Sequence, residues 1–114
     1  MYSLCQGRII LAEVTDPTDQ NKKLRPLIII TSSAEIAAVD PIAAVAVTTS
    51  FSLPLSDDEV LLPQGTTRTG LTKSAVALCT WICKVKKADI VDTKGIVPKS
   101  TLLEILKRVP TDFS

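Results

Sequence analysis

Two uninterrupted apolar runs constrain this chain more than any other feature. Pro26-Leu27-Ile28-Ile29-Ile30-Thr31 and Ile42-Ala43-Ala44-Val45-Ala46-Val47-Thr48 are apolar up to their terminal threonines and rich in β-branched side chains. A half-exposed strand alternates polar with apolar residues, so a run without alternation calls for cover on both faces. Both runs have strand length and fall far short of the roughly 18 apolar residues of a membrane span. They are expected to form the central strands of a sheet. With 114 residues, 46% of them hydrophobic and 4% aromatic, the chain suits one domain over 1–114, its interior filled by Ile, Leu, Val and Ala.

The remaining segments arrange themselves around these two. Arg8–Val14, after Gly7, reads as a first strand, and the Pro-, Asp- and Asn-containing stretch from Asp16 to Leu24 as a loop. Ser33–Asp40 suits a short helix with Ser32 or Ser33 as its cap. Glu59–Leu62 and Gly95–Val97 read as short strands. Along Ser74–Val85 strict alternation would put Ala77, Cys79, Trp81, Cys83 and Val85 on a core face, and Val76, Leu78, Thr80, Ile82 and Lys84 on the other. A final helix after Pro98, capped by Ser100 or Thr101, would align Leu102, Ile105, Leu106 and Val109, with Lys107 and Arg108 at its carbonyl end. Short strands with one terminal helix make a β-rich α+β fold, a small, partly open barrel with a short helix after the second strand.

Composition also removes chemistries. The chain has no histidine, which excludes His–Cys zinc sites, Ser-His-Asp triads and imidazole acid–base pairs. Its three cysteines, Cys5, Cys79 and Cys83, form no Cys-x-x-Cys pattern. Without a signal-like amino terminus, the expectation is a cytoplasmic protein. The net charge of +1 is unevenly spread: residues 1–60 hold four basic and eight acidic side chains, residues 61–114 nine basic and four acidic. Such asymmetry suits an anionic partner, although an ordinary solvated surface reads equally well.

Five features taken in order make the chain resemble the MazF/PemK (Kid) toxins of type II toxin–antitoxin systems. They are Gly7 before the first strand, Asp16-Pro17-Thr18, Arg25-Pro26 leading into Leu27–Ile30, Val47-Thr48-Thr49-Ser50, and the segment from Gly70-Leu71-Thr72-Lys73 through Cys79. The resemblance implies an SH3-like barrel and a homodimer. It also implies cofactor-free, metal-independent endoribonuclease activity on single-stranded RNA, neutralised by a cognate antitoxin with an acidic, disordered tail. It makes Arg25 and Thr48 the catalytic pair. The remaining substrate-binding candidates are Asp16, Asp19, Thr49, Ser50, Thr67, Arg68, Thr69, Leu78 and Thr80. Where some members carry Asp-Gln, this chain has Thr80-Trp81, which leaves Asp16 or Asp19 as the candidate general base.

Each candidate also has a plainer reading. Arg25 could simply flank a buried strand, Thr48 and Thr49 are strand-friendly, and Thr66–Thr69 could be a solvated turn. Trp81 is expected in the core, with base stacking as its other reading. Cys79 and Cys83 are expected as small buried hydrophobes on one strand face, and Lys84, Lys86 and Lys87 as either an RNA-guiding cluster or a solubilising strand end. Two other functions compete: a MazF-like module that binds RNA or a partner protein without cutting, and a CcdB-like gyrase poison. The second depends on a Trp-Gly-Ile terminus, and this chain ends Thr111-Asp112-Phe113-Ser114.

Overall fold

The computed structural model describes residues 4–15, 22–49, 52–62 and 75–110. Strands β1 (Arg8–Thr15), β2 (Lys22–Ile29), β3 (Ile42–Thr48), β4 (Glu59–Leu62), β5 (Ala75–Val85) and β6 (Ile90–Ile96) form one sheet in the order β4-β5-β3-β2-β1-β6. Every pairing is antiparallel. Among the described residues the sheet does not close on itself, and β4 and β6 are its edges. Helix α1 (Ser33–Ile36) links β2 to β3, and α2 (Lys99–Arg108) ends the described chain.

Both apolar runs lie at the centre of the sheet, and both faces above them are packed. One cluster joins Ile9, Ile28, Ile30, Val45 and Val47 to Val60, Leu62 and Ala77, roofed by Ile105 and Val109 of α2 and its cap. The other joins Ile10, Ala12, Val14, Leu27, Ile29, Ala44 and Ala46 to Ile36 of α1, with Leu78, Trp81 and Cys83 packed against it. Two-sided cover explains the missing alternation in β2 and β3. Each large aliphatic side chain buried this way stabilises the fold by about 1.5–3 kcal/mol before entropy is set against it.

Several boundaries moved. Strand β2 begins at Lys22, where turn formers suggested a loop, because Lys22, Lys23 and Leu24 pair with Thr15, Val14 and Glu13. Strand β6 reaches back to Ile90, zipped against β1 through Thr93 and Asp92. Helix α2 starts at Lys99 with Pro98 as its cap and no capping side chain, so neither Ser100 nor Thr101 serves. Ser32 is the N-cap position of α1, again without a side-chain cap bond. Gly7 adopts φ +91°, and a Cβ there would lie 3.2 Å from Leu102 Cδ2. Glycine thus lets the chain enter β1 directly beneath α2.

Strand β5 departs from strict alternation. Ile82 faces Val45 across the β3 ladder, yet Leu78 already faces Ala46, so Cys79, Thr80 and Trp81 fall in a bulge between the two registers. An odd insertion reverses which face each side chain takes. Ala77 and Cys79 belong to the α2-side cluster, as does Ile82 beyond the bulge, while Leu78, Trp81, Cys83 and Val85 lie on the opposite face. Cys79 and Cys83 therefore sit on different faces, and Trp81 shares a face with Leu78 rather than with Cys79.

Candidate active site

The β2–β3 register sets Leu27 opposite Ala46, Ile28 opposite Val45 and Ile29 opposite Ala44. Carried two residues further, it sets Arg25 opposite Thr48. Alternation places both on the face occupied by Leu27, Ala46 and Ala12, the last of these being the β1 partner of Arg25. Arg25 and Thr48 line one open cavity of about 330 Å³ together with Lys23, Leu24, Val47 and Thr49. They are neighbours because the end of β3 lies beside the middle of β2.

Arg25 is half-buried and its Nε is buried. Its guanidinium carbon lies 5.2 Å from the centroid of the Trp81 ring, inside the range over which an aromatic quadrupole attracts a cation. Cys83 shares the face of Trp81. Burial pushes its thiol up from its ordinary value, and the charge of Arg25 and the polar edge of the Trp81 side chain pull it partly back. The guanidinium, indole and thiol therefore form one packed group on the face that carries Thr48.

The other candidates distribute as follows. Thr49, exposed at the end of β3, lines the Arg25 cavity. Leu78 is half-buried on the same face. Thr80 is exposed in the bulge, and its hydroxyl donates to Asp58 Oδ2 at 2.8 Å. Thr80 and Trp81 line a neighbouring cavity of about 450 Å³ with Glu13, Lys22, Cys83 and Asp89. Lys84 also borders this cavity, whereas Lys87 is tied through its backbone N–H to Asp40. Asp16, Asp19, Ser50, Thr67, Arg68 and Thr69 lie outside the described residues. Among the described residues, no three Cys, Asp or Glu side chains converge as metal ligands would.

Sequence reasoning missed two participants. Trp81 was assigned to the core by its spacing from Cys79, and only the bulge carries it to the Arg25 side. Asp58 carried no signal, since its contact with Thr80 spans 22 positions and depends on the β4–β5 pairing.

An unclosed antiparallel sheet, a terminal helix on one face and an Arg–Thr cleft on the other define a known class of small β-rich toxins. The chain belongs to the PemK-like, MazF-like toxins of type II toxin–antitoxin systems, whose family model matches residues 5–111. Its fold is that of solved endoribonuclease structures. One, an endoribonuclease from a mycobacterial species, superposes with a TM-score of 0.73 at 16% identity, covering 96% of this chain and 89% of that one. A second is a mycobacterial endoribonuclease in complex with its cognate antitoxin, with a TM-score of 0.73 at 16% identity over 94% and 91% of the two chains. A third is the MazE–MazF complex of Deinococcus radiodurans, with a TM-score of 0.72 at 17% identity over 95% and 94%. No curated protein sequence matches the chain. Among the described residues, no helix is long and apolar enough to cross a membrane.

Proposed function

We propose that the chain is an endoribonuclease that cleaves single-stranded RNA at the Arg25–Thr48 cleft. The observation that carries this reading is the convergence of a guanidinium and a hydroxyl from adjacent strands in one open cavity. RNA brings its own nucleophile, the 2′-OH beside each phosphodiester. The protein has to hold the phosphorus in line for attack and stabilise the extra negative charge of the pentacovalent state. Arg25 meets the second need: its planar donor fork matches two phosphate oxygens and keeps its charge at any working pH. Packing on Trp81 holds that fork in place before substrate arrives, so little reorganisation accompanies the reaction.

Thr48 donates a further hydrogen bond to one of those oxygens in this scheme, and Thr49 and Lys23 contact the flanking backbone. The 2′-oxygen bonds to phosphorus as the bond to the 5′-oxygen breaks. The proton lost from the 2′-OH passes to a base, and the departing oxygen gains one. The products are a 2′,3′-cyclic phosphate and a 5′-OH, and the scheme needs no metal. Asp16 and Asp19 remain the candidate bases. A homodimer and neutralisation by an acidic-tailed antitoxin complete the proposal, the latter supported by the solved complexes of similar fold.

The test is a matched pair of unstructured RNAs in EDTA, one all-ribose and one with a single 2′-deoxy residue at the mapped cleavage position. Cleavage of the first and survival of the second at that position are expected. Equal cutting of both would show that water, not the 2′-OH, attacks. Saturable binding of both with neither cut would favour a module that holds RNA without cleaving it.

A further inference from the structure

The cleavage scheme uses Trp81 only to steady Arg25, yet the ring does more than pack. Its partly buried side chain forms a wall of the roughly 450 Å³ cavity beside the cleft, a volume within the ordinary range for small-ligand pockets. The bulge at Cys79–Trp81 is what brings it there. Without that odd insertion the indole would point to the α2 side and be sealed among Ala77 and Cys79. The bulge thus leaves the ring packed on the second core cluster and on Arg25 while part of it borders the cavity.

We propose that Trp81 is a nucleobase platform: one base of the RNA, adjacent to the phosphate held by Arg25, stacks on the indole inside this cavity. The inference rests on the cleavage reading and adds a named base-binding residue to it. The arrangement matches what single-stranded RNA offers, a charged phosphate and a flat π-face within one nucleotide of each other. Arg25 and Trp81, 5.2 Å apart, provide the counterparts in the same order. The wall around the ring mixes carboxylates (Glu13, Asp89) with ammonium groups (Lys22, Lys84). It can therefore meet the donors and acceptors on a base edge. Stacking tolerates any base, since all have a π-face, so Trp81 supplies affinity and register.

Trp81 is the chain's only tryptophan, so its emission reports directly on this site. The experiment titrates the wild-type protein with a single-stranded 2′-O-methyl oligonucleotide that cannot be cleaved. Trp emission is followed, together with anisotropy of a labelled copy of the strand, and an abasic residue is then stepped along it. Saturable quenching is expected, abolished by an abasic site at one position only. Trp81→Ala should weaken binding roughly fivefold to a hundredfold, as loss of one base–aromatic stack does, and Trp81→Phe should restore most of it.

An oligonucleotide that binds wild type and Trp81→Ala equally, leaves the emission unchanged and shows no abasic position effect would overturn the platform and leave the cleavage reading standing. Quenching by an acidic peptide but not by RNA would reassign the ring to a protein partner. No oligonucleotide binding, with no RNA cut, would remove the cleavage reading and the platform together.

Discussion

Arg25 and Cys79 mark the two ways this sheet treats a polar side chain. Arg25 places its guanidinium over an indole at the rim of a cavity. Cys79, fully enclosed on the α2 side, cannot ionise easily. Burial pushes its thiol from 9.0 up to about 11, the charge of Arg108 lowering it somewhat and that of Asp58 raising it. The folded protein therefore holds a proton that the unfolded chain gives up near pH 9. This contribution is fully present below pH 9 and is lost as the pH rises toward 11. The urea midpoint should fall between pH 8 and pH 10.5, and fall less steeply in Cys79→Ala; parallel slopes would contradict the assignment. Cys83, raised for the same reason on the other face, adds a smaller decline that both proteins share.

Among the elements, the ones readable from sequence were those whose pattern is set by neighbours on both sides. Strands β3 and β4 span Ile42–Thr48 and Glu59–Leu62 as their composition suggests, and the α2 face of Leu102, Ile105, Leu106 and Val109 follows from helical spacing alone. The start of β2 was hidden because Lys22–Leu24 are exposed and held by pairing with β1, which local composition does not record. The bulge in β5 was hidden for a sharper reason. Alternation fits Ser74–Val85 throughout, and the reversal after Cys79 is visible only once β3 and β4 impose registers that differ across it. That one reversal moved Trp81 from the presumed core into the site, so the same error affected both fold and function. Helix α2 offers a check on the face assignment. Ile105 is fully buried while Leu103 is 53% exposed, so Ile105→Ala should cost about 2–5 kcal/mol. Leu103→Ala should stay within about 0.5 kcal/mol. Chemical denaturation of the two variants decides this, and similar losses would place the helix wrongly.

At the scale of the molecule, one six-stranded sheet carries a hydrophobic cluster on each face. On the face away from α2, two cavities adjoin through the Arg25–Trp81 contact. The arginine and threonine of that cleft were singled out by the resemblance that Arg25-Pro26 and Val47-Thr48-Thr49-Ser50 carry, since spacing alone leaves both as ordinary strand residues. The indole and the Asp58–Thr80 contact were not, since both depend on long-range register. The central claim is that one guanidinium stabilises the charge gained by a phosphodiester under attack. It is tested most directly by comparing RNA cleavage by the wild type, Arg25→Lys and Arg25→Ala in EDTA, with product ends identified by mass spectrometry. The account predicts cyclic-phosphate ends from the wild type, a loss of at least about 10²-fold in rate for Arg25→Ala, as for removal of a preorganised donor, and only partial recovery with the point charge of lysine. Cleavage by Arg25→Ala at the wild-type rate would contradict it.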